Sequence, residues 1–297
     1  MRPDLPARLF TPAARERLPG VDWQPVALEQ IGAAEVLLTC WGCPPVTAEV
    51  LATAPHLRAI VHAGGGVKGH VTDACWERGI LVSTAADANA VPVAEYTLAM
   101  ILIANKGVQR AARAYAERRG PMDLVTELPG VGNYRKTVGI VGASRIGRRV
   151  IELLAPFDLD VLVHDPYLPD SVALDELIAR SDVVSIHAPA LPSTRHLIDA
   201  RRLALMKPSA VLVNTARGTV VDEAALADGL HDGRLFAAGL DVFEREPSIE
   251  PRLLSAPRTV LLPHIGSASQ ATRTRMATMA TEAVATVLAG GRPTNVV

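Results

Sequence analysis

The sequence predicts an α/β protein of two parallel-sheet domains, and three observations predict it. Short runs rich in Val, Ile and Leu alternate along the chain with Ala/Leu-rich helical stretches, the pattern of βαβ units. Hydrophobic residues make up 49% of the chain and aromatics only 4%, so the core is aliphatic, as where helices cover both faces of a parallel sheet. The 297 residues also exceed a single domain of ~100–200 residues.

Taken in order, strands are expected at Val36–Thr39, Ala59–His62, Leu81–Ser83, Thr137–Val141, Val161–His164, Val183–His187, Ala210–Asn214, Ala237–Val242 and Thr259–Leu262. Between the third and fourth, one long amphipathic helix is expected. It would start at Pro92, a residue suited to a first helical turn, and run to about Tyr115 before the Gly120-Pro121 break. Arg110, Arg113, Arg118 and Arg119 on it read as a solvated face. A last helix over Gln270–Leu288 is long enough to return to the first unit. The expected division is therefore a smaller domain of residues 1–87 plus 268–297 and a doubly wound domain of residues 88–267.

Composition excludes several functions. Net charge is -1, without the basic excess of a nucleic-acid binder. Charges interrupt the apolar stretches before the ~18 residues of a membrane span. No basic-then-apolar leader opens the chain, so a cytoplasmic protein without a membrane partner is expected. Cys40-Trp41-Gly42-Cys43 has C-x-x-C spacing, but Pro44 and Pro45 follow where a redox motif would open a helix. Cys75 alone does not complete a zinc ligand set. The thiols read as buried side chains, and no metal is expected.

The strand Thr137–Val141 runs directly into Gly142-Ala143-Ser144-Arg145-Ile146-Gly147, with a helix following through Leu154. That is the setting of a dinucleotide-binding turn, in which the pyrophosphate rests on a helix N-terminus. Gly142 permits the tight turn and Gly147 the close approach of helix to strand. Ser144 stands where the pattern has its second glycine. Asp165 ends the next strand, 18 residues past Gly147, where an acid accepts hydrogen bonds from the ribose hydroxyls. No Arg or Lys in Pro166-Tyr167-Leu168-Pro169 offsets that charge against a 2′-phosphate. The expected cofactor is NAD rather than NADP.

Arg217, Glu246 and His264 each follow the carboxyl end of one of three consecutive expected strands, the edge at which open α/β sheets bind ligands. Their chemistry forms a set. A guanidinium fork holds a carboxylate and polarises the neighbouring carbonyl. Hydride addition to a 2-keto acid leaves an alkoxide, which takes a proton from an acid titrating near neutrality, and histidine suits. A carboxylate beside the histidine favours its charged form and fixes its tautomer.

Asn214-Thr215-Ala216-Arg217-Gly218, Gly239-Leu240-Asp241-Val242-Phe243-Glu244-Arg245-Glu246-Pro247 and Pro263-His264-Ile265-Gly266 closely resemble signatures of the D-isomer-specific 2-hydroxyacid dehydrogenases. Val138–Gly147, His187-Ala188-Pro189 with Thr194, and Ala63-Gly64-Gly65-Gly66-Val67 match as well. The resemblance covers about residues 45 to 267. It implies two Rossmann-like domains with the active site in the cleft between them. It further implies substrate anchoring by Arg217, proton transfer by His264 and tuning of that histidine by Glu246. Gly65 and Gly66 would offer backbone amides to the substrate carboxylate. Arg145, Ile146, His187, Thr194, Thr215, Asp241 and Gly266 would contact the cofactor, and the chain would pair as a homodimer through the 92–115 helix. The implied reaction moves a hydride between NAD and C2 of a small D-2-hydroxy or 2-keto acid. An NAD-responsive scaffold and a formate- or phosphite-type dehydrogenase stand as alternatives.

Three features depart from the family pattern. Met1–Arg8 is polar and proline-rich where an opening strand is usual. A helix at Asp175–Arg180 follows Asp165 so closely that the usual extra helix and outer strand have no room. Lys68 replaces an acidic residue after the glycine loop, where it would either favour an additional anionic group on the substrate or face solvent, with solvent the preferred reading.

Overall fold

The computed structural model describes residues 5–127 and 130–297. The chain divides into two compact units, Met1–Pro92 with Ser267–Val297, and Val93–Gly266. Each carries one parallel sheet.

In the first unit the strands β1 (Val36–Thr39), β2 (Ala59–His62) and β3 (Leu81–Thr84) lie in that order. Thr39 pairs with His62, and His62 with Thr84. Alternate side chains of a strand point to opposite faces, and both faces of the central β2 are buried. Ile60 and Val82 join Leu51, Val67 and Cys75 on one side. Val61 joins Leu9, Phe10, Ala280 and Val284 on the other. The last two come from the Gln270–Leu288 helix, which lies where the sequence reading put it. Beyond β3 the C-terminal residues add an antiparallel bridge, Ser83 to Val296. Where the family usually opens with a strand, residues 1–4 lie outside the described residues, and Leu5–Leu9 and Pro12–Glu16 are helical.

The second unit holds β4 (Lys136–Val141), β5 (Leu159–His164), β6 (Val183–Ile186), β7 (Val211–Asn214), β8 (Ala237–Leu240) and β9 (Thr259–Leu261). Their order is β5-β4-β6-β7-β8-β9, all parallel. Chain order reverses between β4 and β6, which creates the switch point where doubly wound sheets bind ligands. Val138, Ile140 and Val213 pack against Ile101, Val150 and Leu154 on one face. Val184, Ile186 and Leu212 pack against Leu177 and Leu226 on the other. β5 is the outer edge, and the Leu174–Arg180 helix follows without another strand.

The expected long helix is corrected. It begins at Ala86 rather than Pro92, so Pro92 lies inside it, and it stops at Lys106. Gly107 then adopts φ 65°, and a second helix covers Val108–Arg118. A left-handed glycine ends a helix because the next carbonyls can no longer meet the i+4 amides. Ala86–Lys106 is long and apolar enough to cross a membrane by length and composition, although the sequence reading found no such stretch. Its Ala94 and Ile101 are fully buried among the strands of the sheet core.

Candidate active site

The turn after β4 is built by close approach. Gly142 has φ 98°, and a Cβ on it would lie 2.8 Å from the amide nitrogen of Ala188 after β6. A Cβ on Gly147 would lie 2.1 Å from the Gly142 carbonyl oxygen. Both positions therefore need glycine, and the remaining space is a cradle at a helix N-terminus. Ser144 fits this geometry as the extended N-cap of the Arg145–Leu154 helix, its hydroxyl accepting from the Gly147 N–H at 3.3 Å. Its Cβ is thus accommodated, and its own hydrogen is left to donate. Arg145 is exposed and Ile146 half-buried in the first turn.

Asp165 closes the cradle. One carboxylate oxygen accepts from the Ala143 N–H at 2.7 Å and the other from the Tyr167 N–H at 3.0 Å. Each oxygen keeps a lone pair for a ribose hydroxyl. His187 is buried beneath the turn, its Nε2 2.9 Å from the Ser185 hydroxyl. Its Nδ1 is buried without a partner among the described residues. Burial pulls its pKa down to about 4, so the ring is neutral and part of the floor. The Thr194 hydroxyl donates to Pro189 and accepts from the Leu191 N–H, closing its own loop. Thr215 shares a 2.8 Å hydrogen bond with Thr97.

At the other end of the same edge, β7, β8 and β9 lie side by side. His264, past β9, has φ 55°, a left-handed backbone uncommon outside glycine. It is held there by its N–H, which bonds the Asp241 carbonyl at 2.8 Å. The Asp241 carboxylate accepts from the Ile265 and Gly266 N–H groups, both at 2.8 Å, and from the Tyr96 hydroxyl at 3.3 Å. Burial pushes the pKa of Asp241 up. Asp241 therefore fixes the loop that carries His264, in addition to the cofactor role expected of it.

His264 Nδ1 lies 2.9 Å from Glu246 Oε2, and the other Glu246 oxygen accepts from the Phe243 N–H at 3.1 Å. With the Glu246 carboxylate accepting, Nδ1 carries the hydrogen and Nε2 is the nitrogen left to exchange a proton. Arg217 is exposed; its guanidinium donates to the Ala216 carbonyl at 2.6 Å and pairs with no carboxylate among the described residues. The adjacent Gly218 is pressed so tightly on Phe243 and Glu244 that a Cβ would lie 1.9 Å from the Phe243 carbonyl carbon. The structure thus brings Glu246 and His264 into contact and joins the Arg217 and Glu246 loops through backbone.

The sequence reading missed Tyr96, Thr97 and Glu223. The Glu223 carboxylate is buried, accepts from the Glu244 N–H and has its pKa raised by that burial. In sequence it passes for an ordinary acid in a first helical turn. Gly65 and Gly66 lie in the first unit, in the loop after β2.

The family model for the NAD binding domain of D-isomer specific 2-hydroxyacid dehydrogenases matches residues 98–266. The chain belongs to this family. As a member of it, the chain is 36% identical over 280 residues to a D-3-phosphoglycerate dehydrogenase of Methanocaldococcus jannaschii, covering 91% of this chain and 53% of that protein. It is 34% identical to a glyoxylate reductase of Korarchaeum cryptofilum, over 92% of this chain and 85% of that one. A crystal structure of D-lactate dehydrogenase from Aquifex aeolicus with NAD and lactic acid superposes with a TM-score of 0.77 at 27% identity, covering 94% and 92% of the two chains. The chain spans about half the length of the phosphoglycerate dehydrogenases it matches. The second unit is thus a Rossmann NAD-binding domain, and the residues of its β4 turn fit the dinucleotide.

Proposed function

We propose that the chain reduces small 2-keto acids to D-2-hydroxy acids, or runs the reverse oxidation, with NAD(H) as cofactor. The observation that carries the reading is the 2.9 Å His264–Glu246 pair at the β8–β9 edge. On the same sheet edge as the dinucleotide turn, it supplies a proton donor of the kind an alkoxide needs.

When bound, the nicotinamide supplies or accepts the hydride. The protein does the rest. Arg217 holds the substrate carboxylate and draws electron density from the adjacent carbonyl. His264 Nε2 gives its proton to the C2 oxygen as negative charge develops there, and Glu246 holds the ring through Nδ1. Gly65 and Gly66 offer amides to the carboxylate. Arg145, Ile146, Ser144, Thr194, Thr215 and Gly266 contact the cofactor, and Asp165 selects NAD by opposing a 2′-phosphate.

The protein is cytoplasmic and a homodimer in this reading. An apolar groove of about 420 Å³ along the Ala86–Lys106 and Val108–Arg118 helices, lined by Met100, Ile103, Phe236 and Val260, supports the second point. Sedimentation at monomer mass would remove it.

The test is NADH oxidation with glyoxylate, hydroxypyruvate, pyruvate, 3-phosphooxypyruvate and bulkier 2-keto acids. Turnover is expected with at least one, and His264→Ala should lower it by ~10²–10⁴-fold while leaving NADH affinity intact. A flat trace across the panel, with NADH bound, would overturn the reading.

A further inference from the structure

The first unit buries a polar chain that the reaction as proposed does not use. Thr39 at the end of β1, His62 at the end of β2 and His70 are 1%, 2% and 4% exposed. The Thr39 hydroxyl lies 2.9 Å from His62 Nδ1 and 3.1 Å from His70 Nε2, and the two rings are 4.5 Å apart. A hydroxyl has one hydrogen to give and lone pairs to receive, so it donates to one imidazole and accepts from the other. Burial lowers both histidines' pKa values, His62 to about 4, which matches two neutral rings.

This chain lies under the glycine loop. His62 Nε2 is so close to Gly64 that a Cβ there would come within 2.6 Å of it. The Ala85 N–H is shared between the His62 and Gly64 carbonyls, both at 3.0 Å. The far end of the chain is also tied down, because the His70 carbonyl accepts from the Val46 N–H at 2.8 Å and its N–H donates to Val67 at 3.0 Å. The loop Gly64–Gly66 carries no side chain with which to hold itself. Its shape is set from below and from its two ends.

We propose that His62, Thr39 and His70 are positioning residues that hold the Gly64–Gly66 backbone in the form that receives the 2-keto acid carboxylate. The proposal rests on the reading of Gly65 and Gly66 as carboxylate ligands. Removing the hydroxyl leaves two imidazole nitrogens facing each other without the group between them, and a buried polar atom without a partner shifts its surroundings to find one.

The decisive variant is Thr39→Val, close in shape and lacking the hydroxyl. It should raise KM for the keto acid about tenfold, the scale of one buried hydrogen bond, with kcat and NADH affinity near wild type. His70→Gln, whose amide can stand in for Nε2, should stay within about threefold on the same scale. A folded Thr39→Val with unchanged keto-acid KM overturns the proposal. Should Thr39→Val fail to fold, the wild-type protein decides through its imidazole nitrogen NMR signals. With NADH present, oxamate (an unreactive 2-keto acid analogue) should shift the signals of His62 and His70, and unmoved signals overturn the proposal. The Gly65 and Gly66 amide signals in the same titration separate the two claims. If they do not move, the carboxylate assignment fails; if they move while Thr39→Val is silent, only the positioning role fails.

Discussion

Both sheets present a glycine loop after a buried parallel strand, and the two loops are supported in opposite ways. The turn after β4 is fixed by contact, with Gly142 against Ala188 and Gly147 against the Gly142 carbonyl. The histidine beneath it, His187, leaves one nitrogen without a partner among the described residues. The loop after β2 is fixed by hydrogen bonds, and its histidine is tied through Thr39 to a second one. The element that each loop leads into explains the difference. Gly147 lies inside the Arg145–Leu154 helix, whose backbone ladder holds the turn. Gly64–Gly66 leads only into the short Val67–His70 turn, so side chains must supply the order. An atom added to the turn meets backbone, whereas an atom added to the loop after β2 meets side chains, His62 at Gly64 and Asn89 at Gly65; that loop is the one more exposed to the loss of a polar partner.

The largest expected effect tests the first half of that contrast. In Gly147→Ala the new methyl meets backbone at 2.1 Å, and backbone cannot swing aside. A cost of about 3 kcal/mol or more is expected from the forced shift, with NADH affinity falling by at least about a hundredfold as the cradle closes. In Gly65→Ala the methyl would lie 3.3 Å from the Asn89 side-chain amide, a group that can move, so stability should change by less than about 1 kcal/mol. Thermal melts and NADH fluorescence titrations read both. If the two variants melt alike, the contrast between the loops is wrong.

Acid comes next. His62 and His187 are each held neutral in the fold, with pKa values lowered from 6.5 to about 4 by burial. The unfolded chain takes up these protons near 6.5 and the folded protein only near 4, so the unfolded state binds more protons in between. Stability is therefore full above about pH 6.5 and falls as pH drops toward 4, by roughly 2–3 kcal/mol per histidine. Replacing His187 by Leu should flatten part of that slope and give up at pH 7.5 only its Nε2 hydrogen bond to the Ser185 hydroxyl, about 1 kcal/mol. Replacing His62 by Leu should flatten it too, but at a larger cost at pH 7.5. Equal costs at pH 7.5 would erase the distinction between the two histidines.

Legibility in the sequence divides along the same line. Buried parallel strands appear as aliphatic runs, so all nine are placed by sequence to within two residues at each end. Arg217, Glu246 and His264 are legible because a strand period followed by a polar residue marks a sheet edge. Their supports are not. Tyr96 reaches Asp241 across 145 residues and Thr97 reaches Thr215 across 118, and no local pattern records such a pairing. His62 and His70 differ by eight positions but meet through Thr39, 23 and 31 residues earlier. The helix break at Gly107 escapes sequence reading for another reason. A single glycine costs a helix only about 1 kcal/mol, too little to separate a tolerated residue from a terminator on sequence alone.

The smallest expected effect concerns the longer of two side-chain hydrogen bonds to the backbone of the contact-fixed turn, the other being the Asp165 bond to the Ala143 N–H at 2.7 Å. Ser144 Oγ accepts from the Gly147 N–H at 3.3 Å, longer than the usual ~2.9–3.0 Å for such a bond, so the cap is weak for its kind. Loss of a serine N-cap to alanine costs about 0.5–2 kcal/mol and to glycine only a few tenths; here the low end applies. Ser144→Ala should melt about 2 °C lower, on the scale of a domain of this size. Ser144→Gly should melt within about 1 °C of wild type on the same scale, and it restores the second glycine of the dinucleotide pattern. If contact alone fixes the turn, Ser144→Gly binds NADH as tightly as wild type or tighter. A loss of NADH affinity in Ser144→Gly would show instead that the hydroxyl contributes to the dinucleotide site, and that this turn, like the loop after β2, depends on a polar side chain.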